Sequence, residues 1–138
     1  MKKRAFTILE ILVVLSVIAI LIGIAIPRFK GMQDASNIIR MRAELRTLQA
    51  AMEAYKNDHT YYADTIVTME EASPKIVNSG LLNPMTGAPY SMQTDGVLYY
   101  VIYAKTDATG SASISGSGVV SATNAYWVSN GTVASGHN

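Results

Sequence analysis

The 138-residue chain has no cysteine, two histidines, two phenylalanines and one tryptophan. Without cysteine there is no disulfide framework, no thiolate nucleophile and no Cys-ligated zinc or iron–sulfur site. Charge is also scarce: Asp, Glu, Lys and Arg make up 15% of the residues, where soluble domains average about 25%. Eleven basic against ten acidic side chains leave a net charge of +1, without the basic excess of a dedicated nucleic-acid binder. The chain holds no phosphate-cradling glycine loop, no H-E-x-x-H pair and no Rossmann fingerprint. His59 falls in an expected turn and His137 one residue from the end, so neither is placed as a catalytic base. The expectation is a non-enzyme with no cofactor and no metal. Asp58, Asp64, Asp95 and Asp107 are the carboxylates calcium would need, and no acid follows Asp107. The length suits one compact unit of about 100–150 residues.

What the chain has in excess is apolar sequence at its N-terminus. Ile11–Ile26 reads ILVVLSVIAILIGIAI, broken only by Ser16 and Gly23. Extended back to Phe6 and on to Pro27, the stretch contains a single charge, Glu10. About 20 apolar residues at about 1.5 Å rise cross a hydrocarbon core of about 30 Å. Met1-Lys2-Lys3-Arg4 precede it, which puts the N-terminus in the cytoplasm and the bulk of the chain outside. Three readings meet this pattern. A secretory signal peptide needs a small-residue cleavage site, which Ala25-Ile26-Pro27-Arg28-Phe29 does not offer. A plain single-pass anchor leaves Glu10 to snorkel toward the cytoplasmic side. The third reading gives Glu10 a partner, because an acid in an apolar segment costs several kcal/mol unless paired or neutralised. Cutting before Phe6 creates such a partner, an α-amino group at the head of the helix.

Lys2-Lys3-Arg4-Ala5, then Phe6-Thr7-Ile8-Leu9-Glu10 and a long apolar helix, resemble the N-terminus of type IV pilins and type II secretion pseudopilins. The strong resemblance covers about the first 30 residues, and a weaker one reaches about residue 90. It implies a leader of residues 1–5, removed by prepilin peptidase between Ala5 and Phe6, with Phe6 then N-methylated. Ala5 stands where the family more commonly has glycine. The resemblance matches Glu10 to the acid that pairs with a neighbouring subunit's N-terminal amine, and Pro27 to the proline that kinks the helix. It further implies local melting from Gly23 to Pro27 on assembly. The implied partners are further copies in a filament, the inner-membrane assembly platform, minor pilins, and the membrane before assembly, with no specific nucleic acid. Physically, an assembled Glu10 gains an ammonium partner in low dielectric, while a misregistered copy leaves it bare. Glu10 is therefore a register device more than a stabilising one.

Beyond Pro27 the pattern becomes amphipathic. Ile38, Met41, Leu45, Leu48, Met52 and Tyr55 form a stripe on one helical face, with Arg40, Arg42, Glu44, Arg46 and Glu53 off it. The reading is a helix from Ile8 to Lys56, about 70 Å long, kinked near Pro27, whose stripe packs on the protein's own sheet. A coiled-coil seam would be short for this stripe. Residues 6–58 carry six basic and five acidic side chains, and 59–138 two basic and five acidic, so a basic spine and an acidic head can meet between subunits. Segment boundaries follow: assembly helix 6–27, amphipathic helix 28–58, connecting loop 59–89, and sheet head 90–138. The loop holds one short helix, Thr68–Val77 broken by Pro74, and the turn string Asn83–Tyr90, of a kind many pseudopilins carry.

Strands are expected at Tyr90–Thr94 and Val97–Ala104 across an Asp95-Gly96 turn, and at Ser111–Ile114 and Val119–Ala122 across Gly116–Gly118. Ala125–Ser129 and Thr132–Ser135 flank a second hairpin signal, Asn130-Gly131. Residues 106–138 are rich in Ser, Thr, Gly and Ala, which leaves a disordered tail as the alternative. The expected class is α+β, a long helix with a head of about four antiparallel strands. The sequence favours the subunit of a type IV pilus, with a type II secretion pseudopilin second. The rival of another class is a monomeric, membrane-anchored, extracytoplasmic binding or sensor domain.

Overall fold

The structure, a computed structural model, describes residues 7–73 and 75–133. The expected leader with Ala5, the methylation position Phe6, Pro74, the end of the last expected strand and His137 lie outside them. The chain divides into two units between Ser36 and Asn37. One helix, α1 (Ile8–His59), contributes to both.

In the first unit α1 opens at Thr7, whose carbonyl accepts from the Glu10 and Ile11 amides. The helix passes through Gly23 and Pro27 with no break in secondary structure, although Pro27 has no N–H to give the Gly23 carbonyl. Ser16, the one hydroxyl in the apolar run, bonds back to the Leu12 and Val13 carbonyls at 2.9 and 2.8 Å. Its polarity is thus satisfied inside its own helix.

The second unit holds the rest of α1, α2 (Ile66–Glu70) and six strands: β1 (Ser91–Thr94), β2 (Tyr100–Lys105), β3 (Ser111–Ile114), β4 (Val119–Thr123), β5 (Ala125–Ser129) and β6 (Thr132–Val133). The apolar stripe of α1 is buried as its spacing predicts, at Met41, Leu45, Leu48, Met52 and Tyr55, with Ala51 added. Ile38 is half-buried and Arg40, Arg42 and Arg46 face solvent. Each large side chain so buried contributes about 1.5–3 kcal/mol.

The α+β class is the one expected, with a finer division of the head. The strands form two three-stranded sheets, ordered β1-β2-β5 and β3-β4-β6. Strand β2 serves both layers through the alternation of its side chains. Tyr100, Ile102 and Ala104 join the helix stripe in one core, while Val101 packs with Ala112 and Val120 in the other.

Three local expectations are corrected. The β1–β2 turn is not a two-residue hairpin, because Thr94 pairs with Tyr100 and leaves five residues between. Asp95 Oδ1 accepts from the amides of Val97, Leu98 and Tyr99 at 3.1, 2.8 and 2.8 Å. One carboxylate satisfying three amides outcompetes the ladder bonds those residues would have made. Nor do β5 and β6 close a hairpin at Asn130-Gly131; β6 pairs parallel with β4. Asn130 is instead spent on side-chain bonds, its Oδ1 accepting from Tyr100 N at 2.9 Å and its Nδ2 donating to Leu98 O at 2.8 Å and Tyr62 Oη at 2.9 Å. The chain then crosses to the second sheet, where Thr132 N donates to Gly118 O at 2.8 Å. The short loop helix starts earlier than expected because Thr65 caps it, accepting from Thr68 N at 3.2 Å. The Asn83–Tyr90 string is the compact turn its prolines and glycine imply. Asn83, 1% exposed, holds it by donating to Lys105 O at 2.7 Å and accepting from Met85 N at 2.9 Å.

Candidate assembly site

Glu10 lies in the first turn of α1, three residues after Thr7. Thr7 Oγ1 accepts from the Glu10 amide at 3.3 Å, which is one half of a capping box, Thr-x-x-Glu. The sequence signal for this cap, absent from the expectations above, is Thr7-Ile8-Leu9-Glu10 ahead of an apolar run. It gives Glu10 a local role, a negative charge over the helix N-terminus, beside any role between copies. The Glu10 side chain is exposed and so is available to a partner.

Around and beyond Glu10 the helix is apolar on every side. Ile8, Leu9, Ile11, Leu12, Val13, Val14 and Leu15 are all exposed, as are Ile22, Ile24, Ile26 and Phe29 further on. The most apolar 18-residue window reaches a mean hydropathy of 3.0 with none of it buried. By length and composition this helix can cross a membrane. Exposed apolar area of this extent marks an interaction surface. Gly23 and Pro27 sit at an i, i+4 spacing within it, so the weak carbonyl and the residue that fails to bond it fall on one face. An added Cβ at Gly23 meets nothing within 4 Å, so glycine is not required there by packing in the single chain.

In the second unit two carboxylates off the helix stripe accept hydrogen bonds from tyrosines of the head. Tyr90 Oη donates to Glu44 Oε2 at 2.6 Å, and Tyr100 Oη donates to Glu53 Oε1 at 2.9 Å. Burial first, and the adjoining carboxylate second, hold both phenols well above their ordinary pKa. Glu44 also pairs with Arg40 at 2.8 Å, which raises the guanidinium pKa chiefly through that hydrogen bond. In the sequence Glu44 and Glu53 are only off-stripe charges. Their partners are far along the chain and carry no local signal.

The residues considered for chemistry are dispersed. His59 closes α1, not a following turn. Its ring stacks on Tyr55 at 4.1 Å and its Nδ1 donates to the Tyr55 carbonyl at 3.1 Å. Among the described residues, no three His, Asp or Glu side chains come together as metal ligands do. Asp95 is occupied with its loop amides, and Asp107 Oδ1 accepts from Thr109 N and Oγ1 at 2.8 and 2.7 Å.

Residues 1–26 match the family described as the prokaryotic N-terminal methylation motif. The type II secretion system core protein G of Klebsiella michiganensis is 32% identical over 64 residues, 46% of this chain and 45% of that one. The core protein G of Pectobacterium carotovorum subsp. carotovorum is 25% identical over 97 residues, covering 70% and 58% of the two chains. The type IV major pilin protein PilA of Myxococcus xanthus is 32% identical over 63 residues, 46% and 29% of the two. The match to the Klebsiella protein thus spans less than half of that relative's length. No solved structure matches the chain. The methylation segment, these relatives and a long apolar helix followed by a mainly antiparallel head make the chain similar to type IV pilins and type II secretion pseudopilins.

Proposed function

We propose that the chain is the structural subunit of a filament, with no catalytic step of its own. A precursor is held in the inner membrane by α1, its head outside. Prepilin peptidase cuts between Ala5 and Phe6, Phe6 is methylated, and copies then polymerise through the apolar helix on an assembly platform with minor subunits. The observation that carries this is the exposure of apolar side chains all round α1 from Ile8 to Phe29. That surface needs either lipid or other copies, and a bundle of identical helices supplies the second. In the bundle, the new α-amino group of one copy pairs with Glu10 of another and selects the register. The missing bond from Pro27 to Gly23 makes this section the place where the helix yields on assembly.

Between the two kinds of filament, a type II secretion pseudopilus stands at least level with a surface pilus. The core protein G relatives and the Asn83–Tyr90 turn support the pseudopilus. The PilA relative and the hydroxyl-rich head support the pilus.

Intact mass of the exported protein tests the processing: residues 1–5 lost and one methyl gained on Phe6. A mass equal to the uncut precursor overturns it in favour of a plain anchor. Replacing Glu10→Ala is expected to leave insertion and head folding intact while abolishing most filaments; normal filaments from that variant would sink the pairing. Deleting the gene separates the two filaments, since exoprotein secretion fails for a pseudopilus and surface fibres vanish for a pilus.

A further inference from the structure

The second unit carries two depressions of opposite character. One, of about 970 Å³, has Arg42 and Arg46 on its helix side and Thr106, Asn124, Tyr126 and Trp127 on its sheet side. The Arg42 guanidinium carbon lies 5.0 Å from the centre of the Tyr126 ring. Among the described residues, no acidic side chain lines this cleft. The ion pair formed among the described residues is Arg40–Glu44, and Arg42 and Arg46 have no carboxylate within ion-pair distance among those residues.

The second depression, about 430 Å³, is lined by Asp64 and Glu70 together with Ile66, Val67 and Leu82, and by no Lys or Arg among the described residues. Val67 is 54% and Leu82 49% exposed. Glu71 follows directly and is exposed, so Asp64, Val67 and Glu71 present charge, apolar surface and charge in succession. Tyr90 also lines this depression, and Tyr90 bonds Glu44. At about 100° per residue, Arg42 and Arg46 lie about 200° around α1 from Glu44. The basic cleft and the acidic depression therefore flank the helix on opposite sides.

We infer that the Arg42–Arg46 cleft docks against the exposed rim of the acidic depression, Asp64, Val67 and Glu71, of a second copy of this chain. The charges are complementary, and each surface adds apolar or aromatic area that its charges alone do not need: Tyr126 and Trp127 on one, Val67 and Leu82 on the other. Two different patches that fit each other make a heterologous contact, which repeats without closing and yields an open helical array. Surfaces that matched themselves would stop at a dimer. This contact rests on the filament reading above and names the head surfaces that such a filament uses.

The absence of cysteine makes the test clean. The full chain is produced in its assembling cells as Arg46→Cys, as Glu71→Cys, as both in one chain, and as the two single variants together. Filaments are then treated with a short bis-maleimide. The contact predicts a ladder of covalent multimers from the double variant, dimers and nothing larger from the mixed singles, and monomers from either single alone. Filaments that form but give no ladder, or singles that link to themselves, overturn the contact while leaving the filament reading intact. If the unsubstituted chain forms no filaments, the filament reading itself fails. Charge exchange is the second arm. Arg46→Glu is expected to lower filament yield about tenfold, and Arg46→Glu with Glu71→Arg to restore it. Failure to restore, or protection of Arg46 by an added acidic polysaccharide in place of a second copy, also overturns it.

Discussion

Tyr100 Oη donates to Glu53 Oε1 at 2.9 Å across 47 residues of sequence, tying the central strand of the first sheet to the helix it covers. Tyr90 makes the equivalent bond to Glu44 at 2.6 Å. Both phenols have raised pKa values in the folded chain, through burial and then the carboxylate. A group whose folded pKa is raised stabilises fully below its unfolded value and loses that contribution as pH rises toward the folded one. Head stability is thus expected to be unaffected by these phenols up to about pH 9 and to fall above about pH 10. Denaturant midpoints measured across that range check it, and Tyr90→Phe with Tyr100→Phe should flatten the fall. At neutral pH, Tyr100→Phe alone costs about 1 kcal/mol.

Asp95 orders the β1–β2 loop through one oxygen. Its pKa is lowered by the amides of Tyr99 first, then Leu98 and Val97. The stabilisation it gives is present above the ordinary carboxylate range and is lost as pH falls through the lower folded value. Asp95→Ala is expected to release the Val97, Leu98 and Tyr99 amides, raising their hydrogen-exchange rates while those of β2 hold. Unchanged rates at these three amides would refute this account of the loop.

Gly131 is held where the chain passes from one sheet to the other. A Cβ there would run into the Gly118 carbonyl and the tip of Ile114. Gly131→Ala is therefore expected to destabilise the head by about 1–3 kcal/mol and to weaken the parallel pairing of β6 with β4. Thermal melts and exchange at Thr132 report the two effects separately.

Thr60 follows the last residue of α1 with φ 64°, its amide donating to Lys56 O at 2.8 Å. A β-branched residue in the left-handed region is strained. Glycine relieves that strain and costs unfolded-state entropy in return. Thr60→Gly is expected to stabilise the head by about 0.5–1 kcal/mol, measurable as a rise in melting temperature. A fall would show that the Thr60 hydroxyl, which bonds the His59 carbonyl at 2.6 Å, outweighs the backbone strain.

What was legible in the sequence followed from periodicity. Met41 to Tyr55 repeats at helical spacing and is buried; Val101 and Ile102 alternate and fill two cores. The Gly116–Gly118 turn joins the expected strands, since Ile114 pairs with Val120. Side chains that bond to distant backbone were not legible. Asp95-Gly96 and Asn130-Gly131 have the composition of tight hairpins, yet Asp95 is taken by three amides and Asn130 by Tyr100, Leu98 and Tyr62. At the N-terminus Glu10 is legible as an anomaly of charge, while the Thr7 cap is a single amide-to-hydroxyl bond at 3.3 Å that the surrounding apolar run masks.

The division of the head by β2 has a mechanical corollary. Among the described residues, the layer formed by β3, β4 and β6 is fastened through the small buried side chains Val101, Ala112 and Val120, whereas the helix-facing layer holds Met41, Leu48, Met52, Met69 and Tyr100. The weaker fastening predicts that the outer layer opens before the inner one in mild denaturant, with hydrogen exchange at the β3 and β4 amides rising ahead of that in β2. Such a release would bare Val101 while the hydrophobic interior around α1 stayed closed.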